Sequence, residues 1–258
     1  MKKLIVFLIL FSNFLFSQEK QIISKILNEE KPKLKLETRK FVNQDFSKIW
    51  TQTENSKIFG IIGDECERLR IKLISIKQNP KNHKEYFVKG KSKVKNVVDD
   101  FEGKITIEKI YQTKYNYFGV DNELKDKVKL TGLIIANYHF FENKNQKHSG
   151  ELYGKLYSKF YFDKNNVLKY DDINAHSDGY FNNAFIGNWT MYNSKISKIA
   201  NWGDYRVPLS VKGFDIGAGE FSPSDKYLKK GWQTYRDILF TENQNQESIK
   251  IEEENWWK

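Results

Sequence analysis

Cysteine and proline are both scarce in this chain. Of its 258 residues only one is cysteine, Cys66, and only four are proline. A single cysteine excludes an intramolecular disulfide framework, and so little proline excludes a collagen-like or proline-rich disordered chain. No apolar run beyond the N-terminus is long enough to cross a bilayer as a helix. The chain must therefore be stabilised by its own hydrophobic core.

Aromatic residues, by contrast, are plentiful, with 19 Phe, 14 Tyr and 6 Trp. Side chains of this size bury large areas, which argues against disorder. Lys and Arg number 43 against 33 Asp and Glu, so the formal net charge is +10. Positive charge can attract nucleic acid or anionic surfaces. Acidic residues are interspersed almost throughout, however, so we interpret the lysines as a solubilising surface and expect no nucleic-acid partner.

The N-terminus has the pattern of a secretory signal peptide over residues 1–17. Lys2 and Lys3 form a basic start, an apolar stretch runs to Phe16, and polar residues follow. The stretch is short for a membrane anchor and is interrupted by Asn13. No cysteine lies near the cleavage point, so a lipoprotein is not expected. The sequence predicts an exported protein, periplasmic or secreted, that does not span the membrane.

From Ile58 onward apolar and polar residues alternate, which is the period of a half-buried β-strand. In Glu67–Lys77, for example, Leu69, Ile71 and Leu73 share one face. Similar runs follow at Glu85–Lys95, Phe101–Tyr111, Lys127–Phe141, Glu151–Asp163, Ala184–Tyr192 and Ser197–Gly203. The connections between them are short and rich in turn-forming residues, so neighbouring strands are predicted to be antiparallel.

Small residues recur within the apolar faces, including Gly90, Gly132 and Gly154. Glycine weakens a strand unless the sheet must bend, and closing a sheet removes its exposed edges. We therefore predict an all-β fold over residues 58–203. It consists of about eight antiparallel strands in a meander, closed into a small soluble barrel or a strongly curved sheet. A membrane pore lined by lysines is the lesser alternative.

The segments on either side of this domain lack the two-residue period. Residues 18–57 are polar and mixed, and they predict an N-terminal extension that leans on the main body. Residues 204–258 predict an irregular segment, with a Gly-rich loop, one short helix and a tail that packs on the barrel. The helix would have Ser222 as its cap and would end near Gly231. The final Trp256–Trp257 pair is expected to dock, because exposed paired tryptophans are a liability.

The Gly-rich stretch Asn201–Phe221 contains the candidate ligand-binding residues. They are Trp202, Asp204, Tyr205, Arg206, Asp215 and Glu220. Aromatic faces with a few charges commonly line sites for polar ligands, and carboxylates beside an arginine could also form a hydrolytic acid/base pair. The alternative is a structural loop held by Asp–Arg pairing. Catalytic residues are not assigned.

Metal-binding patterns are weak in this sequence. None of the four histidines pairs at metal-ligand spacing. The Asp171–Gly179 loop is rich in oxygen ligands but does not fit the EF-hand spacing, so it is interpreted as a solvated turn. Cys66 is interpreted as a packing residue. We expect neither a metal nor another cofactor.

Two resemblances accompany these patterns. The signal peptide, the Lys/Asn/Ile-rich composition and the run NWGDYRVP…DIGAGEFSP resemble exported β-rich proteins of Bacteroidota for which no activity is known. The FIGNW run at Phe185–Trp189 is similar to the Gly-x-Trp element of lipocalin-type barrels. In lipocalins this element lies on the first strand, whereas here it comes late in the chain.

Three functions remain open at the level of the sequence. The first is a non-enzymatic binding module of the periplasm or cell surface, whose partner is a small ligand or an envelope polymer. The second is an envelope- or glycan-directed hydrolase that uses carboxylates of the Gly-rich loop. The third is a structural envelope protein without a ligand. An apolar cavity would favour the binding module, and carboxylates paired across an open cleft would favour the hydrolase.

Overall fold

The computed structural model describes residues 19–240 and 245–258, so the predicted signal peptide at residues 1–17 lies outside the described residues. The fold is mostly antiparallel sheet with a few short helices. The strands are β1 (Leu34–Leu36), β2 (Ile58–Ile62), β3 (Glu67–Asn79), β4 (Asn82–Val94), β5 (Val97–Thr113), β6 (Val128–Glu142), β7 (Gly150–Asp163), β8 (Leu168–Tyr170), β9 (Asn182–Met191) and β10 (Ser197–Asp204). The α-helices are α1 (residues 19–27), α2 (Thr38–Phe41), α3 (Gln233–Phe240) and α4 (Gln246–Glu253).

Eight of the strands hydrogen-bond in a closed ring. From β2 to β7 each strand pairs with the next one along the chain, β9 and β10 continue the order, and β10 pairs back with β2. Every pairing is antiparallel. The short strands β1 and β8 add to the edges of β5 and β7. The prediction of an all-β antiparallel meander with a strongly curved sheet is confirmed.

The alternating pattern correctly identifies the inner face of the ring. The predicted inward residues share one buried core, including Leu69, Val88, Ile107, Ile134 and Leu156. Several register shifts interrupt the alternation. In β3 the register shifts after Leu73, so that Ile76 is also buried, and β5 has a similar shift after Ile107. A bulge adds one residue to a strand and increases its bend, which helps the sheet to close.

The segment before β2 enters one end of the ring, which we call the closed end. Phe46, Ile49 and Trp50 are buried in the same core as the strands. The Trp50 indole N–H donates a hydrogen bond to Ser158 Oγ at 2.9 Å, and the ring of Phe46 lies edge-on to Phe160. The N-terminal extension is therefore part of the core and does not merely lean on it. Its apolar residues lack the two-residue period of a strand, which is why the sequence pattern missed this role.

Two layers cover parts of the outer face of the ring. Ile22 and Ile26 of α1 cluster with Leu133 and Ile135 of β6. On the other side, aromatic residues of the C-terminal segment cluster with Phe59 of β2. They include Phe214, Phe221 and Trp232. Cys66 is a buried free thiol in this second layer, as expected of a packing residue.

The C-terminal segment contains more helix than predicted. The predicted helix is a 3-10 helix at Asp225–Lys230, which ends at Gly231 in a left-handed conformation (φ 94°). Its N-cap position is Ser224 and not Ser222. The prediction of a single helix is wrong, because α3 and α4 follow. The α4 N-cap is Asn245, whose side chain accepts hydrogen bonds from two backbone N–H groups. Because Asn245 lies among other polar residues, the sequence pattern did not identify it as a cap.

A buried ion pair anchors α4 to the sheet. The Arg68 guanidinium of β3 donates to both carboxylate oxygens of Glu252, at 2.6 and 2.5 Å. Trp256 is buried, as the docking prediction requires, and Lys72 lies over the ring of Trp257. Within the described ranges, none of the helices has the length and apolar character needed to cross a membrane.

Candidate functional site

The six residues predicted from the Gly-rich segment fall into separate environments. Trp202 lies inside the ring, where it stacks on Phe185 with centroids 4.6 Å apart. Asp204 is also buried, at the closed end. Tyr205, Arg206 and Glu220 line a surface cleft of about 710 Å³.

Asp204 is held by groups from three parts of the chain. Its Oδ2 accepts hydrogen bonds from Thr53 Oγ1 at 2.7 Å, Tyr170 Oη at 2.9 Å and Asn183 Nδ2 at 2.7 Å. Burial raises the pKa of this carboxyl to about 7, although the three donors oppose the shift. The arrangement ties the entering N-terminal segment to β8, β9 and β10, which is a structural task.

Arg206 and Asp215 pair with each other and organise the Gly-rich loop. The guanidinium binds Asp215 Oδ2 and the carbonyl oxygens of Gly217, Ala218 and Gly219. Asp215 Oδ1 accepts from the backbone N–H groups of residues 217 and 222. Both oxygens of Asp215 are therefore occupied. The structure does not bring Asp204, Asp215 and Glu220 together as a set of free carboxylates.

A different cavity lies at the opposite end of the ring, which we call the open end. It has a volume of about 270 Å³ and is lined by side chains from all eight ring strands and from two of the connecting turns. Its walls are largely apolar, formed by Ile62, Leu69, Val94, Val97, Leu152, Trp189 and Met191. Two carboxyl groups, those of Asp99 and Glu142, also line it. Small-molecule sites commonly combine apolar walls with a few polar groups in this way.

Glu142 is buried at the end of β6 and is fully engaged by hydrogen bonds. Its Oε1 accepts from Ser92 Oγ at 2.6 Å. Its Oε2 accepts from the Gly150 backbone N–H and the Trp189 indole N–H, both at 2.8 Å. Burial raises the pKa of Glu142, with the three donors opposing the shift. This residue fixes β6 against β4, β7 and β9, and so shapes the cavity wall.

Asp99 is the exception among the buried acids of this end. Its side chain is 6 % exposed, yet its Oδ1 is buried without a hydrogen-bond partner among the described residues. Burial, with Glu142 and Asp100 nearby, raises its pKa to about 6. Buried polar groups in native proteins are nearly always paired, so an unpaired carboxylate oxygen in a cavity indicates a place for a donor.

Charged groups also surround the rim of this cavity. Lys95 and Glu67 form an ion pair at 3.4 Å, and His148 and Lys198 complete the titratable lining. Because Lys95 is engaged with Glu67, it is not committed to Asp99. A ligand that enters the open end therefore meets the Lys95–Glu67 pair and Lys198 at the rim, and the buried Asp99 in the lining.

The sequence contained a signal for these two acids that the prediction did not use. Asp99 is two residues before Phe101, and Glu142 is two residues after Phe140. Because side chains two apart share a face of a strand, both acids are in phase with the apolar inner face. An acidic residue in that phase is unusual and marks either a buried hydrogen-bond network or a site.

Other candidate chemistries find less support. In residues 19–240 and 245–258, no group of three or more His, Cys, Asp and Glu side chains is placed to hold a metal ion. The Asp171–Gly179 loop is not simply a solvated turn, because the Asp171 carboxylate is buried and accepts from Tyr115 Oη.

Comparisons with protein-family models, with curated proteins and with solved structures find no match to this chain. The function of the site is therefore inferred from its geometry.

Proposed function

We propose that this chain is a non-enzymatic binding module that holds a small ligand at the open end of its closed sheet. The ligand has a compact apolar body and a protonated nitrogen. The observation that carries the proposal is the buried, unpartnered Oδ1 of Asp99, a residue that lines an apolar cavity. A protonated amine would give this oxygen a charge-assisted hydrogen bond, which is about twice as strong as a neutral one.

The size and composition of the cavity support a ligand of this kind. A volume of about 270 Å³ is at the lower limit of ordinary ligand sites, so the ligand would be small. The ring of Trp189 and the side chains of Leu152 and Met191 offer an apolar surface to its body. An anion would meet the carboxyl groups of Asp99 and Glu142, whose charges would repel it.

Binding is favoured over hydrolysis because the free acids are too few. A glycosidase needs two available carboxyl groups at a defined separation. At the open end both oxygens of Glu142 are occupied by donors and Glu67 is paired with Lys95, which leaves Asp99. In the Gly-rich segment the oxygens of Asp215 are likewise occupied, and Asp204 lies in another network.

We further propose that the module works outside the cytoplasm, in the periplasm or on the cell surface. The support is the signal-peptide pattern of residues 1–17. Intact-mass measurement of protein from the native envelope should show a chain that begins near Gln18. A chain that still carries residues 1–17 would contradict the exported location and would leave the ligand site untouched.

The ligand proposal can be tested by calorimetry with two matched molecules, phenethylamine and phenethyl alcohol. They have nearly the same shape, but only the amine is cationic at pH 7.5. We expect the amine to bind at least tenfold more tightly than the alcohol. Asp99→Asn should remove that difference, because a neutral amide cannot form the ion pair. The control is Asp100→Asn, which changes an exposed neighbour paired with Lys91 and should bind as the wild type does.

Two results would contradict the proposal. One is equal binding of the amine and the alcohol, or binding of neither at millimolar concentration. The other is unchanged amine affinity in Asp99→Asn. Hydrolysis of envelope glycans by the wild type, lost on Glu220→Gln but not on Asp99→Asn, would instead support the hydrolase and its Gly-rich loop.

A further inference from the structure

A second cavity lies on the outside of the ring. It has a volume of about 270 Å³ and is formed by the end of α1, the loop after β5 and the loop before β9. The outer face of β7 forms its floor through Lys159. This side chain is only 5 % exposed, although lysine is among the residues least often buried.

The environment of the Lys159 amino group is unusual. Its Nζ lies 4.1 Å from the centroid of the Tyr180 ring. Among the described residues, the amino group makes no hydrogen bond and no ion pair. The nearby Asp171 carboxylate is engaged by Tyr115 Oη at 2.5 Å and by the Ile173 backbone N–H. Lys159 thus presents an unpaired amine to a cavity. It is not part of the ligand site proposed around Asp99.

The charges around this cavity are balanced. Lys25 and His176 line it together with Glu29 and Asp178. A highly charged anion would gain little here, because the acidic residues offset the basic ones. A neutral ligand that reacts with an amine fits the site better than an ion does.

We propose that Lys159 is a nucleophilic amine that takes a small aldehyde or ketone as a reversible imine. The lone pair of Nζ attacks the carbonyl carbon, and a proton moves from nitrogen to the carbonyl oxygen. The resulting hydroxyl group then leaves as water with the second proton from the nitrogen, and the nitrogen lone pair forms the C=N bond. Hydrolysis reverses the sequence, and neither direction consumes an oxidant or a reductant.

The protonation of Lys159 agrees with this chemistry. Burial lowers its pKa to about 8, with the Asp171 carboxylate opposing the shift. The uncharged amine is the reactive form. Near pH 7 its fraction is larger than that of an ordinary lysine by on the order of a hundredfold.

Limited reductive alkylation with butanal and sodium cyanoborohydride, followed by peptide mass mapping, tests the proposal. Lys155 is the matched internal control, because it is on the same face of β7 but is paired with Glu108 and more exposed. At pH 7 we expect Lys159 to be alkylated at least tenfold faster than Lys155 and the other lysines. The rate at Lys159 should rise with pH and level off above about pH 8.

Two variants separate reactivity from folding. Lys159→Arg keeps the positive charge over Tyr180 and should retain the wild-type melting temperature, but it should lose the fast-labelled site. Lys155→Arg should leave labelling at Lys159 unchanged. Labelling of Lys159 no faster than that of exposed lysines would overturn the proposal. Asp99→Asn should leave this labelling unchanged, so the two sites can fail independently.

Discussion

The two ends of the closed sheet each bury an aspartate, and the two aspartates differ in their hydrogen bonding. At the closed end Asp204 receives three hydrogen bonds on one oxygen, and Trp50 and Phe46 fill the space beside the strands. At the open end Asp99 lines a cavity and has an oxygen without a partner. A buried carboxylate with its donors in place stabilises the fold, whereas one without a donor costs stability.

This difference distinguishes the structural end from the end at which we propose that a ligand binds. Proteins retain a destabilising buried charge at few places, and functional sites are the commonest of them. The comparison therefore predicts that mutations of the two aspartates change the free energy of unfolding in opposite directions.

The largest effect is expected from the aromatic residues of the closed end. Trp50→Ala would leave a cavity in the core and would remove the hydrogen-bond donor to the Ser158 hydroxyl. It should therefore lower the free energy of unfolding by about 3–5 kcal/mol. Met191→Ala, at the partly exposed open end, should cost about 1 kcal/mol or less. Chemical denaturation of both variants measures the difference. Equal losses would mean that the two ends are packed alike.

The next effect concerns the aspartate of the closed end. Asp204→Ala would leave Thr53, Tyr170 and Asn183 without their acceptor, at a cost of about 3 kcal/mol. Asp204→Asn keeps one acceptor oxygen and serves as the control, with a much smaller loss. If the alanine variant were as stable as the wild type, the Asp204 network would not be structural.

A small effect of opposite sign is expected at the open end. Asp99→Asn should raise the free energy of unfolding at pH 7.5 by about 1 kcal/mol, because it removes a buried charge that has no hydrogen-bond partner on one oxygen. The folded pKa of Asp99, about 6, is above the unfolded value. Protonation therefore favours the folded state, and wild-type stability from this group increases as the pH falls from about 6 to about 4. The advantage of the variant should shrink over the same range, and urea melts at pH 7.5 and 4.5 check it. A destabilised Asp99→Asn at pH 7.5 would show that Asp99 has a structural partner.

Much of the sheet could be predicted from the sequence, because alternation reports directly which side chains face the core. The period identified the long strands and their inner faces, and the scarcity of long loops indicated their antiparallel order. Periodicity does not reveal a bulge such as the one after Leu73. It also does not reveal the entry of Phe46 and Trp50 into the ring. Those features depend on contacts between residues far apart in the chain.

The candidate site was harder to predict, because cavities arise between elements and not within one segment. The composition of the Gly-rich stretch predicted a ligand site there. In the structure, however, Arg206 and Asp215 hydrogen-bond to each other and to the loop backbone. Asp99 and Glu142 are 43 positions apart in the chain and meet only when β5 pairs with β6. Their phase within each strand was visible, but the absence of a donor for Asp99 was not.

The most direct test of the central claim is the pH dependence of phenethylamine affinity for the wild-type protein. If the Asp99 carboxylate is reserved for a cation, the affinity should be constant above about pH 6.5. It should weaken by up to about tenfold per unit as the pH falls below 6, because Asp99 becomes protonated while the amine stays charged. Phenethyl alcohol should show no such dependence. An amine affinity that does not change between pH 7.5 and pH 5 would contradict the account.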